Sequence, residues 1–279
     1  MDIFKTGYEV HLAVSEIQNF YSKTELGSIT SRFINDSIKM MDSLMVKNIE
    51  RELLVGYGFT TPFIETLIHS SSCSICLMPE QQGVVSWPPN FPNRSILIEQ
   101  DQWPLESETA DIVMMVHGLE TCEKPQQLLD EVWRVLVPEG YLLVVVPNRT
   151  GFWARSDLTP FGHGKPYSLS QLARLLEVNR FQIMRTCASL FMPPSTRSFV
   201  LKSSALLERI GMKYATRVMG GVIIMLAKKQ IHAPTPLKIS DSIKVPLSIL
   251  DGLIDPKPKP LPNNGGTYEK ENIIRGNYS

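Results

Sequence analysis

The apolar and polar positions of this chain fall into two regimes. Residues 8 to 50 carry a helical stripe. Phe33, Ile34, Ile38, Met41, Leu44 and Met45 recur at three- and four-residue spacing, with Arg32, Asn35, Asp36, Lys39 and Asp42 between them. A stripe of this kind predicts an N-terminal helical extension, residues 1–50, packed on its own domain. A lid over a site is the alternative use of such a face.

From Glu52 the regime changes to short apolar runs alternating with helical segments. Leu53-Leu54-Val55 runs into Gly56-Tyr57-Gly58, and Pro62 to Ile68 reads as a helix. Further runs are Cys73 to Met78, Ser95 to Glu99, Asp111 to His117 and Tyr141 to Pro147. Between the last two, Leu128, Leu129, Val132, Trp133, Val135 and Leu136 give a helical face that stops at Pro138-Glu139-Gly140. A long polar loop, Arg149 to Tyr167, leads to a helix from Ser168. Two more strands, Phe181 to Phe191 and Gly221 to Ala227, flank a helix near Ala205 to Met212. Strands apolar on both faces and separated by helices indicate an α/β domain over 51–230. The expected architecture is a Rossmann-like, seven-stranded, mostly parallel sheet with helices on both faces.

Beyond Ile231 the pattern dissolves, and seven of the 20 prolines lie there. Residues 231–279 read as a proline-rich, largely extended or disordered tail. Asp255-Pro256-Lys257-Pro258-Lys259-Pro260 has polyproline spacing, a weak signal for a peptide ligand.

Composition narrows the function classes. With 28 Lys+Arg against 28 Asp+Glu the formal charge is zero, which argues against a general nucleic-acid binder. The longest apolar runs are six or seven residues, short of the ~20 needed to cross a membrane. Met1-Asp2-Ile3-Phe4-Lys5 lacks the order of a signal peptide. Four cysteines are too few for a disulfide framework, so a cytoplasmic location is expected. Cys73 and Cys76 form a CxxC on a strand. They lie three apart on opposite faces and read as core rather than metal or redox groups.

Ligands of open α/β sheets bind beyond the carboxyl ends of the strands. That rule selects Gly56, Tyr57 and Gly58 after the first strand, where a missing Cβ permits close backbone approach. A tight turn with no ligand is the alternative. After the second strand, Glu80 offers a carboxylate to a ribose diol. After the third, Asp101 and Gln102 offer an acid and an amide, and Trp103 an apolar wall. After the fourth stands His117, with acid–base or merely structural capacity.

The stretch from Leu53 to Asn148 resembles the class I S-adenosylmethionine-dependent methyltransferases of the type-11 group. The resemblance rests on Trp103-Pro104-Leu105, Ala110-Asp111-Ile112-Val113, Leu119-Glu120 and the run Leu128-Leu129-Asp130-Glu131-Val132-Trp133-Arg134-Val135-Leu136-Val137-Pro138-Glu139-Gly140. Pro147-Asn148, Pro166-Tyr167-Ser168 and Gln171-Leu172 follow the same order. Phe20-Tyr21, Leu26-Gly27 and the loop from Arg149 to Gly164 are similar to a bacterial subgroup. The resemblance implies S-adenosylmethionine as cofactor, with Gly56, Tyr57, Gly58, Glu80, Asp101, Gln102, Trp103 and His117 around it. It also implies direct in-line transfer of a methyl group to a small-molecule acceptor. His163 and His117 are then the candidate catalytic groups, and Arg149, Trp153 and Arg155 the candidate substrate contacts. A Gly58→Asp change is expected to put a side chain into the cofactor's space.

The sequence departs from the family at three places. Leu54 stands at the acidic position of the glycine loop, Thr60 at its third glycine, and Met78 at the acid closing the second strand. These departures support the alternative of a degenerate methyltransferase fold used for binding or regulation. A nicotinamide dehydrogenase would need a glycine at residue 61, which is Thr.

Overall fold

The structure, a computed structural model, describes residues 12–43, 45, 51–68, 71–100, 102–214 and 219–231. The proline-rich segment from 232 onward, with its Asp255–Pro260 motif, lies outside the described residues.

Two helices come first, α1 (Val14–Lys23) and α2 (Glu25–Asp42). Thr24 serves both. Its hydroxyl donates to Phe20 O at 2.7 Å, closing α1, and accepts the N–H of Gly27 at 2.9 Å, capping α2. The apolar stripe of α2 lies in the core, where Ile34, Ile38 and Met41 are buried.

Seven strands follow: β1 (Arg51–Gly58), β2 (Ser71–Pro79), β3 (Ser95–Ile98), β4 (Ala110–Val116), β5 (Leu136–Pro147), β6 (Phe181–Ser189) and β7 (Val222–Lys229). They form one sheet in the order β3-β2-β1-β4-β5-β7-β6. All neighbours from β3 to β5 run parallel, and β7 lies antiparallel between β5 and β6. The interleaved helices are α3 (Glu65–Ile68), α4 (Pro125–Val135), α5 (Leu169–Val178) and α6 (Ser198–Tyr214).

The alternation of side chains along the strands divides the core in two. Leu54, Cys76, Met114 and Val145 face α1, α2 and α3, whereas Val55, Leu77, Val113 and Val144 face α4 and α5. Helices therefore cover both faces, as a sheet apolar on both sides requires.

Several boundaries differ from the sequence expectation. The Gly56-Tyr57-Gly58 segment does not leave the sheet as a loop. It stays in β1, with Gly56 opposite Met114 and Gly58 opposite Val116. Pro138-Glu139-Gly140 is not a stop before a strand that begins at Tyr141. β5 already starts at Leu136 and carries a register shift there, with Glu139 at φ 64°. Helix α3 is one turn, because residues 61–64 form a turn in which Phe63 and Ile64 both donate to Thr60 O. As the short spacer with its prolines implies, no helix joins β2 to β3. Cys76 is buried, but Cys73 is exposed and so is no core residue.

Candidate functional site

The strand order places a topological switch point between β1 and β4, since the chain leaves β1 toward β2 on one side and reaches β4 on the other. At the carboxyl edge of that point Gly58 pairs in register with Val116, and Phe59 donates its N–H to Val116 O at 2.8 Å. His117 and Gly118 follow at once.

The glycines there are filled against by protein. A Cβ on Gly56 would lie 2.1 Å from Oγ1 of Thr60, and one on Gly58, whose φ is +82°, would lie 2.4 Å from the backbone oxygen of Val116. Gly58→Asp would therefore break the β1–β4 contact rather than probe a ligand's space, which corrects the expectation drawn from the sequence. Leu54, at the family's acidic position, is buried in the core. Tyr57 is buried too, its ring stacked on Trp103 at 5.1 Å and 16°.

His117 holds the centre of the switch point. Its backbone is left-handed, φ 53°, an uncommon and strained conformation for a non-glycine residue. On one side, Nε2 meets the phenol oxygen of Tyr21 at 2.8 Å; on the other, Nδ1 meets Oε1 of Glu120 at 3.2 Å. All three are buried, at 8, 2 and 2 % exposure for Tyr21, His117 and Glu120. Burial first, and the Glu120 charge second, push the Tyr21 phenol well above its usual pKa, so it keeps its proton. A protonated phenol and an acceptor-only carboxylate assign the tautomer: Tyr21 donates to Nε2, and Nδ1–H donates to Glu120. Glu120 Oε2 is buried without a hydrogen-bond partner among the described residues. Gln82 donates from Nε2 to His117 O at 2.9 Å, and its own carbonyl accepts from Val14 N at 2.7 Å, so it ties the start of α1 to the same point. The ring of Phe161 covers the imidazole at 4.6 Å.

Beside the switch point, at the ends of β2 and β3, lies a cleft of about 150 Å³ lined by Glu80, Gln81, Glu99, Gln100, Lys124 and Gln127 among others. Glu80 is exposed there, two residues beyond Met78. Gln102 is exposed, and Asp101 lies outside the described residues. Trp103 presents no open wall. Its indole N–H donates to Gln100 O at 3.2 Å, and its backbone N–H to Glu131 at 3.0 Å.

The loop candidates divide. Arg149 donates from Nε to Pro166 O at 3.3 Å, which pins its own loop. Trp153 is 1 % exposed and donates to Met192 O at 2.7 Å, so it anchors the loop to the chain after β6 instead of lining a surface pocket. Arg155 is exposed at the end of a 3-10 turn, Trp153–Arg155. His163 is half-buried and follows a second such turn, Pro160–Gly162, whose Phe161 carries the contact to His117. The sequence reading missed Tyr21, Gln82 and Glu120 as site residues. His117-x-x-Glu120 was the one local signal, a histidine and a carboxylate three apart; no spacing marks Tyr21 or Gln82.

The sheet order, the switch point and the helices on both faces define a class I α/β fold of the methyltransferase type. Residues 55–144 match the family model described as "Methyltransferase domain". A chain from the solved complex between the Haloferax volcanii Trm112 methyltransferase activator and a protein described there as a methyltransferase shares the fold. It has a TM-score of 0.53 and 10% identity, covering 76% of this chain and 97% of that one. A protein of Mycolicibacterium smegmatis, named as a probable S-adenosylmethionine-dependent methyltransferase, is 34% identical over 85 residues, 30% of this chain and 33% of its own. The uncharacterized protein YafS of Escherichia coli K12 is 27% identical over 120 residues, 41% of this chain and 48% of its own. The matches thus span about half or less of those two relatives. The likeness is to a methyltransferase domain over residues 55–144, and it points to S-adenosylmethionine as the group such a domain would hold.

The site fits that group in two respects. The cleft at the ends of β2 and β3 is rich in carboxylate and amide acceptors, suited to the hydroxyl and amino donors of a nucleoside. Glu120 Oε2, buried without a donor, suits a nearby cation, because a buried unpaired carboxylate oxygen is costly. Among the described residues no helix is long and apolar enough to cross a membrane, and no cluster of His, Cys, Asp or Glu is arranged to hold a metal ion.

Proposed function

We propose that this chain transfers the methyl group of S-adenosylmethionine to a small-molecule acceptor by direct in-line attack. The observation that carries the reading is the buried Tyr21–His117–Glu120 chain at the switch point of a sheet whose β1–β5 segment matches the methyltransferase domain. The cofactor supplies an electrophilic methyl group on a sulfonium. The protein's part is mainly to position the partners. Glu80 accepts from a ribose diol, Glu99 and Gln100 face the base, and the buried Glu120 favours positive charge beside it. His117 is the base available to an acceptor that must lose a proton. Arg155 and His163, at the rim of the loop, are the remaining polar groups for a charged acceptor. Zero net charge and four free cysteines support a small-molecule enzyme of the cytoplasm.

A second reading, binding or regulation without turnover, is favoured by Thr60 lying over Gly56 where the family has a third glycine. Calorimetric titration of the purified protein with S-adenosylmethionine and S-adenosylhomocysteine separates the two. Binding of both at micromolar levels is the expected result. No heat and no thermal shift at about 1 mM ligand would remove the enzyme reading.

A further inference from the structure

The environment of Tyr21 is informative beyond methyl transfer as such. Its ring is held in a cage of aromatic side chains: parallel to Phe59 at 5.9 Å, edge-on to Phe63 at 5.3 Å and edge-on to Phe20 at 5.0 Å. The cage ends on the one face of His117 that accepts a hydrogen bond, and Phe161 closes the imidazole from another side. A phenol thus already sits with its ring in an aromatic box and its hydroxyl on a base. That base is oriented by a carboxylate, the arrangement of a nucleophile, a base and an orienting group. The phenol belongs to α1, whose buried face packs into the same core as β1 and β4.

We propose that the Tyr21 phenol holds the place of the methyl acceptor, and that the acceptor is a phenol or other aromatic alcohol whose hydroxyl lands on His117 Nε2. The inference rests on the methyltransferase reading and names the acceptor class for it. Entry of the acceptor displaces the Tyr21 ring and replaces it with a ring of the same kind, so aromatic contacts and the hydrogen bond to Nε2 are exchanged like for like. The chemistry balances. The hydroxyl proton passes to His117 Nε2, which Glu120 steadies as the imidazolium forms. An oxygen lone pair makes the new O–CH3 bond as the S–CH3 bond breaks. The S–CH3 electron pair returns to sulfur, which leaves as the neutral thioether S-adenosylhomocysteine. A buried hydroxyl acceptor discriminates strongly against analogues lacking the donor, because its own polar group is otherwise left unpaired.

The test uses the full chain in the presence of S-adenosylhomocysteine, with p-cresol, 4-methylanisole and toluene as probes. Calorimetry with the wild type is expected to show p-cresol binding at least about tenfold tighter than either analogue. Tyr21→Ala, which removes the competing ring, should tighten p-cresol by a further factor of about ten, since the displacement penalty disappears. Tyr21→Phe keeps the ring and the fold, leaves Nε2 without its donor, and should still prefer p-cresol to toluene. A wild type that binds S-adenosylhomocysteine but takes up no phenol, or takes up anisole equally well, overturns the acceptor assignment and leaves methyl transfer standing. A wild type that binds no S-adenosylhomocysteine fails the parent reading instead. A merely structural Tyr21 would let p-cresol rescue only the alanine variant and never compete in the wild type, which also overturns the proposal.

Discussion

Gly56 and Thr60 approach each other so closely that a Cβ at position 56 would stand 2.1 Å from the threonine hydroxyl. The threonine that replaces the family's third glycine therefore depends on the glycine that remains. Gly56→Ala is expected to destabilise the fold by about 1–3 kcal/mol, the usual range for overpacking. Adding Thr60→Ala should restore much of that loss in denaturant unfolding. Gly58→Ala should be worse and find no such rescue, because its Cβ meets a backbone oxygen at positive φ. Equal behaviour of the two glycine variants would contradict this account.

A buried carboxylate gives a pH signature. Glu208 on α6 accepts the N–H groups of Leu190 at 2.8 Å and Phe191 at 2.7 Å and the hydroxyl of Ser189 at 2.9 Å. Burial raises its pKa above the ordinary carboxylate range and outweighs those donors, which lower it. A raised pKa in the folded state gives a stabilising contribution that is complete below the unfolded value and lost as pH rises through the folded one. Glu208→Gln turns an amide toward backbone donors and should lower stability by about 1–3 kcal/mol near neutral pH. The difference from wild type should widen as pH falls toward the unfolded pKa, measured by urea unfolding across that range.

The phenol of Tyr21 predicts behaviour at the alkaline end. Its pKa is raised, so its stabilising contribution holds below the ordinary tyrosine value and is lost as pH climbs beyond it. Ultraviolet difference titration should show a late-ionising tyrosine that appears together with unfolding and is missing in Tyr21→Phe. Tyr167, pushed up to about 12 by burial and then by the charges of Glu120 and Cys122, should also titrate late and survive that substitution.

Thiol chemistry separates the CxxC pair. Cys73 is exposed, whereas burial pushes the Cys76 thiol up to about 12 despite the Thr60 hydroxyl at 3.6 Å, which lowers it. Timed labelling of the folded protein near neutral pH should modify Cys73 first, with Cys76 reacting only on unfolding. Equal labelling rates would mean that this part of β2 opens readily.

One part of the site was legible because it is local in sequence. Glu131 and Arg134 lie three apart on α4, and the sequence pattern marked both. Arg134 bonds Glu131 at 2.6 Å and Trp103 O at 3.3 Å, while Glu131 accepts Trp103 N at 3.0 Å. Burial pushes the Glu131 carboxyl up, but the Arg134 hydrogen bond and charge and the Trp103 N–H outweigh it and hold it low. The pair latches the Trp103-Pro104-Leu105 loop to α4.

By itself the sequence determined the sheet. Seven apolar runs, the helices between them and the amphipathic α2 are periodic signals within short windows, and burial of each face follows from that period. It also carried the resemblance to methyltransferases, through residues 103–140. Tertiary structure decided the rest. Whether a GxG segment is a loop or a strand end depends on what fills the missing Cβ positions, and Thr60 and Val116 O fill them here. The pairing of Tyr21 with His117 joins residues 96 positions apart. No local pattern encodes that contact. It exists because α1 packs across the carboxyl edge of β1 and β4, where burial leaves each polar group only the partners that the fold brings to it.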